Sequence, residues 1–277
     1  MIALIAGTGT LPLEACKKFL HDHKDFFVVV LFPGDNAAAL RACVGDRAEI
    51  IAQEFYKPNG ILALLVERAT THVMFIGKVD KQHLLKHLKF DIFALKLLGS
   101  LINKNDTNIM EAIGNELVKR GMHLMQQDVV LGGLLVPPGI LTGTLTDELK
   151  NDIHVGIATA QNLARAHIGQ TVVMKNGMVL AVEAIEGTDA CIKRGIELGS
   201  GNVVVCKTAR HDQNRGFDLP TLGPASLDGL HPEDVAAFAW LSPTTLIANK
   251  KDFIARAQEL DITLVSVDAA DVAAVRE

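Results

Sequence analysis

The sequence predicts an α/β protein with an N-terminal Rossmann-like parallel α/β domain at 1–131, a linker at 132–146, and a C-terminal mixed α/β catalytic domain at 147–277. Three observations carry this reading. Strand-length apolar runs alternate with segments of helical period through the first half. A proline- and glycine-rich stretch at 131–144 then breaks every regular pattern. The second half opens with a helix and a hairpin pivoting on Asn176-Gly177, a dipeptide that supplies positive φ at both turn centres.

Residues 2–6 form a continuous apolar run, as in a strand buried on both faces. Gly7-Thr8-Gly9-Thr10 turns the chain into a helix over 11–20, with Thr10 as N-cap and Pro12 in the first turn, where a missing N–H costs nothing. A strand follows at 27–32, a helix at 58–70 and a strand at 72–76, the alternation of βαβ units. Residues 81–99 have helical spacing, and Gly121 closes a clearer helix over 107–120. Beyond the linker come an amphipathic helix at 147–166, the Asn176-Gly177 hairpin starting at Gln170, a helix at 188–198 and a strand at 202–207. A polar irregular loop at 211–216 leads to a final helix–strand–helix–strand series ending at 262–267.

Composition narrows the function classes. The 277 residues are 49% hydrophobic and 21% charged, enough for a sizeable core and too apolar for disorder. A net charge of −5 with one Trp and one Tyr leaves neither the basic excess nor the stacking rings a nucleic-acid surface needs, so no nucleic-acid partner is expected. Cys16, Cys43, Cys191 and Cys206 lie in apolar periodic segments without metal spacing and read as buried reduced thiols. The first residues lack a basic start and are interrupted by Gly7, Gly9 and Pro12, unlike a signal peptide, and no apolar run is long enough to span a bilayer. The expectation is a soluble, cytoplasmic protein.

Several constellations could carry chemistry, each with a plainer alternative. Gly7-Thr8-Gly9-Thr10-Leu11-Pro12 occupies the place of a dinucleotide-binding glycine turn, but Pro12 replaces the third glycine and the second strand lacks an acidic ribose ligand. It is either a tight βα turn or a phosphate or sugar contact. Gly77-Lys78 follows a buried strand at the sheet edge where ligands bind; Lys78 either neutralises a phosphate or is solvated. Asn105 and Asp106 precede a helix as caps or ligands. Glu183 and Glu186-Gly187-Thr188-Asp189 bring carboxylates and helix N–H groups to one strand end, a place for a metal or a phosphate; capping by Thr188 is the plainer reading. Glu183 and Glu186 cannot share a face of an ideal strand, so at least one points toward the core or a cleft. Asp218, an acid between apolar neighbours before Pro220, is either held by nearby N–H groups or serves as a Mg²⁺ ligand or water-positioning base. His83 and His87 stand four apart without a third ligand and read as a solvated face.

Taken in order, the Ile2–Gly7 run with Gly9, Leu11 and Pro12, then Gly77-Lys78-Val79, Gly169-Gln170, the stretch from Val179 to Asp189, and Phe217-Asp218-Leu219-Pro220 form a set. This set resembles the I-type UDP-2,3-diacylglucosamine pyrophosphatases of lipid A biosynthesis over nearly the whole chain. The resemblance implies a cytoplasmic, Mg²⁺-dependent hydrolase, peripheral at the inner membrane surface, with a homodimer compatible with it. It would cleave UDP-2,3-diacylglucosamine to 2,3-diacylglucosamine 1-phosphate (lipid X) and UMP, water attacking the sugar-side phosphorus, in a cleft between two domains. Asp218 would lead as catalytic and metal-binding acid, with Glu183 as helper ligand and Glu186 and Asp189 lining the site. Gly9, Leu11, Pro12, Gly77, Lys78, Asp106, Gln170, Thr188 and Lys207 would bind substrate. At 104–106 the chain reads Lys104-Asn105-Asp106 where the family commonly has Gly-Asp-Asp, and Gly216 replaces an arginine before Phe217.

The chemistry suits these residue types. A diphosphate repels an incoming nucleophile, and Mg²⁺ with one or two carboxylates neutralises that charge. Leu134, Leu135, Ile140 and Leu141 would either form a trough for acyl chains or pack a domain seam. Three rivals remain: a nucleotide-sugar-modifying enzyme that leaves the anhydride intact, a non-catalytic nucleotide-sugar or lipid carrier, which the missing acid at Asn105 favours, and a two-domain scaffold whose acids are ordinary helix caps.

Overall fold

Five consecutive apolar residues at the start of the chain leave no polar face, and β1 (Ile2–Ala6) accordingly lies in the middle of a parallel sheet, its last four residues buried. The computed structural model describes residues 1–54, 58–78, 109–209, 215–217 and 219–273. The expected helix at 81–99, with His83 and His87, falls outside them, as do Asn105, Asp106 and Asp218. The chain divides into two units: residues 1–132 with the described part of 214–218, and residues 133–213 with 219–277.

In the first unit, β1 is flanked by β2 (Phe26–Val30) and β4 (His72–Ile76), with β3 (Ile50–Ala52) and β5 (His123–Leu124) outside them, in the order β3-β2-β1-β4-β5 and all parallel. The chain winds outward from β1 in both directions, so the topological switch point lies between β1 and β4. Helices α1 (Leu11–His21), α2 (Pro33–Val44), α3 (Pro58–Glu67) and α4 (Ile109–Lys119) belong to this unit. Ala3, Ile5, Phe27, Val29, Leu65, Val73 and Leu117 form a core cluster. Each large side chain buried there contributes about 1.5–3 kcal/mol.

Several expectations change here. The second strand ends at Val30 rather than 32 because Pro33 opens α2, a helix the sequence reading missed. Proline at N1 starts helices, and Ala37-Ala38-Ala39-Leu40 propagates this one. The short β3 was also missed. Helix α3 stops at Glu67, not 70. Thr10 does stand at the N-cap of α1, but in helical φ/ψ and without a capping hydrogen bond from its side chain.

The second unit is built on a six-stranded mixed sheet, β6-β13-β11-β9-β7-β8. Its parallel centre is β9 (Val203–Lys207), β11 (Val235–Leu241) and β13 (Thr263–Val267); the hairpin β7 (Thr171–Lys175) and β8 (Met178–Val182) adds antiparallel strands on one side. On the other side β6 (Gly139–Thr142) pairs antiparallel with β13. Part of the stretch expected as a linker is thus an edge strand: Leu141 packs against the core, while Ile140 is exposed. A two-stranded parallel ladder joins β10 (Thr221–Leu222) to β12 (Leu246–Ile247).

Alternation along β7 sends Val173 to one face and Val172 and Met174 to the other. Helix α6 (Asp147–Arg165) covers the second face through Ile153, Ile157 and Ala160. Helix α7 (Thr188–Gly199) covers the first through Cys191 and Ile192, beside Phe253 and Ala257 of α8 (Lys250–Glu259). Short α5 (Gln127–Val130) in the first unit and α9 (Ala269–Ala273) in the second complete the described helices. The sequence expectation of a parallel first sheet and a mixed second one matches this architecture. All four cysteines are free thiols, Cys43 half-buried and the others buried. Burial pushes the Cys16 thiol up to about 12 and Cys191 to about 11.

Candidate functional site

The end of β8, the start of β7, the end of β9 and the start of α7 meet in the second unit, and four of the sequence-predicted residues meet there with them. Antiparallel pairing sets Thr171 opposite Lys207, while the Glu183 N–H donates to the Thr171 carbonyl at 2.9 Å. The backbone passes very close at the entrance to the hairpin: a Cβ on Gly169 would sit 2.0 Å from the Glu183 carbonyl oxygen, so only glycine fits.

On this frame the Lys207 ammonium donates to Thr188 Oγ1 at 2.9 Å, and Thr188 Oγ1 donates to Glu183 Oε1 at 3.0 Å. Glu183 Oε2 accepts from the Gln170 backbone N–H at 3.3 Å. Lys207 is 9% exposed, unusually enclosed for a lysine, and Glu183 and Thr188 are half-buried. Thr188 does not cap its helix. Gly187, at φ 87°, is the N-cap, and Thr188 is the first helical residue with its side chain turned to Glu183.

Glu186 and Asp189 are placed differently. Glu186 is exposed and paired with Arg194 at 2.6 Å, while Arg194 also donates to the Val182 carbonyl. Its own backbone N–H, and then the Arg194 guanidinium, hold its carboxyl below the usual carboxylate range. Asp189 is exposed in the first turn of α7, where the helix dipole favours an acid. The structure thus separates the acids by face: Glu183 turns inward and Glu186 outward.

The second group of predicted residues occupies the switch point of the first unit. Thr8 and Lys78 exchange backbone hydrogen bonds at 2.9 Å each, zipping the loop after β1 to the loop after β4. Gly77, at φ 95°, is required there: a Cβ would lie 2.6 Å from the Thr8 carbonyl oxygen and 3.0 Å from Pro12 Cγ. Leu11 and Pro12 are buried beneath this junction, whereas Gly9 and Lys78 are exposed on it. Asn36, which the sequence reading passed over, clamps the loop by donating its amide to the carbonyls of Gly7 (2.8 Å) and Gly9 (3.0 Å). A polar amide one helical turn after Pro33 was the only trace of it. Arg194 was likewise missed, since nothing in its spacing distinguishes it from a solvated helix residue.

Asp106 and Asp218 lie outside the described residues, so their expected roles have no geometry here. The residue before Asp218 does: Phe217 is buried in the first unit, its ring 5.1 Å from that of Phe75, and Arg215 pairs with Asp128 at 2.7 Å. Leu219 is already buried in the second unit. Among the described residues no group of three His, Cys, Asp or Glu side chains could hold a metal ion, and no helix is long and apolar enough to cross a membrane.

Fold and site define a two-unit α/β protein: a Rossmann-like unit with glycine loops at its switch point, followed by a mixed-sheet unit carrying a lysine–threonine–carboxylate chain. Residues 1–134 match the model of the LpxI N-terminal domain and residues 137–265 that of the LpxI C-terminal domain. The sequence is 29% identical to the UDP-2,3-diacylglucosamine pyrophosphatase LpxI of Caulobacter vibrioides, over 96% of this chain and 97% of that protein. The chain belongs to the LpxI family.

Proposed function

We propose that the protein is a hydrolase of lipid A biosynthesis, cleaving the phosphoric anhydride of UDP-2,3-diacylglucosamine to 2,3-diacylglucosamine 1-phosphate and UMP with Mg²⁺ as cofactor. The observation that carries this reading is the end-to-end similarity, through both domains, to a protein named for that activity. The Glu183–Thr188–Lys207 chain supports it by offering an enclosed cation beside a carboxylate, a combination suited to a metal-complexed phosphate.

The donor chemistry fits the ion. Mg²⁺ takes oxygen ligands and commonly only one or two carboxylates, the rest being water and phosphate oxygens. Glu183 accepts one hydrogen bond on each oxygen among the described residues and retains lone pairs for a cation. Glu183 would be a ligand of the ion, which when bound supplies charge neutralisation to the diphosphate; the family resemblance makes Asp218 the leading catalytic acid. Lys207 adds a fixed positive charge for a phosphate oxygen, and Thr188 and Gln170 keep the neighbouring carboxylate in place. Within the first unit, the Gly9 and Gly77-Lys78 loops lie at the sheet edge where open α/β folds bind ligands and are proposed as substrate-binding. In the hydrolysis a water oxygen bonds to one phosphorus while the P–O bond to the bridging oxygen breaks, that oxygen leaves on the other phosphate, and the water protons pass to the product phosphates and solvent. An acylated substrate and product imply work at the inner membrane surface.

The test is incubation of the purified protein with UDP-2,3-diacylglucosamine, with and without Mg²⁺, reading products by mass spectrometry. UMP and the 1-phosphate should form only with Mg²⁺; stoichiometric binding without products would identify a carrier instead. Asp218→Ala should abolish turnover with an unchanged circular dichroism spectrum, and undiminished turnover would remove Asp218 from the mechanism.

A further inference from the structure

The hydrogen-bond chain in the second unit has a direction that follows from valence alone. A lysine ammonium carries only donors, so Thr188 Oγ1 must accept from Lys207. The single hydroxyl hydrogen is then committed to Glu183 Oε1, and the Gln170 N–H holds the other carboxylate oxygen. Thr188 therefore has no hydrogen to donate to a phosphate while Glu183 is ionised. Nor does it serve as helix N-cap, since Gly187 does. What it does is join the end of β9 to the end of β8, holding an enclosed ammonium at a fixed distance from a carboxylate.

We infer that Thr188 is a positioning residue, aligning the Lys207 ammonium through Glu183 so that it meets a phosphate oxygen of an anionic ligand in one place. This rests on the proposed phosphoanhydride substrate for its biological meaning, but the anion-binding claim stands on the geometry of one unit. Its opposite is simple electrostatics, in which Glu183 merely repels an anion arriving at Lys207. The two accounts predict opposite signs. Removing the carboxylate entirely should tighten anion binding if charge alone matters, and weaken it if the Thr188 link orients the ammonium.

Calorimetric titration of the full chain with inorganic pyrophosphate, without divalent cation, reads the difference. Glu183→Gln keeps an acceptor for the Thr188 hydroxyl and should bind as tightly as the unchanged protein or more so. Glu183→Ala and Thr188→Val should each weaken binding by about 10- to 100-fold, the equivalent of losing one charge-assisted hydrogen bond. Thr188→Ser should recover most of that loss, and thermal midpoints should stay within a few degrees throughout. Tighter binding by Glu183→Ala, or equal losses in Thr188→Ser and Thr188→Val, would overturn the inference; the Glu183 pair decides it even if Thr188→Val fails to fold. With UDP-2,3-diacylglucosamine, Thr188→Val should raise KM more than it lowers kcat. Absence of turnover in the unchanged protein would defeat the proposed hydrolysis while leaving the pyrophosphate comparison intact.

Discussion

Gly169 shows how much one missing methyl group can decide. A Cβ placed 2.0 Å from the Glu183 carbonyl oxygen has backbone, not a flexible side chain, against it, so accommodation must move the strand that carries Glu183. Gly169→Ala should therefore lower stability by about 1–3 kcal/mol, the range for overpacking, as measured by urea unfolding. It should also weaken pyrophosphate binding, because Glu183 and through it Thr188 and Lys207 shift together. An alanine variant with unchanged urea midpoint and binding would mean that the close approach is not needed. At this scale, residue types in the sequence singled out Glu183 and Thr188, while the family resemblance brought in Lys207 and Gln170. Their order in a hydrogen-bonded line was not readable, because it depends on the pairing of β7 with β9, which are separated by the whole of α7. The outward turn of Glu186 was equally unreadable, since its partner Arg194 acquires meaning only when α7 is wound.

Among the elements, α6 offers a pH test. Burial, and then the nearby Lys150 charge, hold the His154 imidazole below its ordinary value of 6.5, with Asp271 of α9 opposing. A depressed value means that the unfolded chain binds the proton more readily. The stability contribution is therefore complete above 6.5 and declines as pH falls through the folded value. Carboxyls held low by partners, such as Glu116 through Arg120, act only below their ordinary 4.5. Urea midpoints measured from pH 7.5 to 5 should decline slightly, and His154→Gln should flatten that decline; an unchanged slope would show that another group titrates. The hairpin, α6, α7 and the strands β1, β2, β4, β9 and β13 were legible because their apolar period matches the element they form. Helix α2 and strand β3 were not: a proline-glycine start masks one, and three residues give too little periodicity for the other.

For the whole molecule, the informative segment is 215–217, which lies late in the sequence yet packs in the first unit. Phe217 stacks on Phe75 and fills the space beside Gly114, where even a Cβ would come within 3.1 Å of its ring. Gln127 N–H donates to the Arg215 carbonyl at 2.8 Å. Phe217→Ala should cost about 3–5 kcal/mol, and the loss should appear as reduced amide protection in β1 and β4 rather than in β9. Equal loss in both units would contradict this assignment of the segment. Local physics in the sequence determined the two sheet types, the alternation of strands and helices, the tight turns, and the strand end at 183–189 as a candidate metal or phosphate site. Those features depend on neighbours within a few positions, where period, propensity and turn chemistry act. Tertiary structure alone decided that the loops after β1 and β4 are zipped together, that Asn36 clamps them, and that Lys207, Thr188 and Glu183 form one directed line. Such contacts join residues from 5 to 70 positions apart, and their geometry is set by strand register and close backbone approach, neither of which a linear pattern encodes.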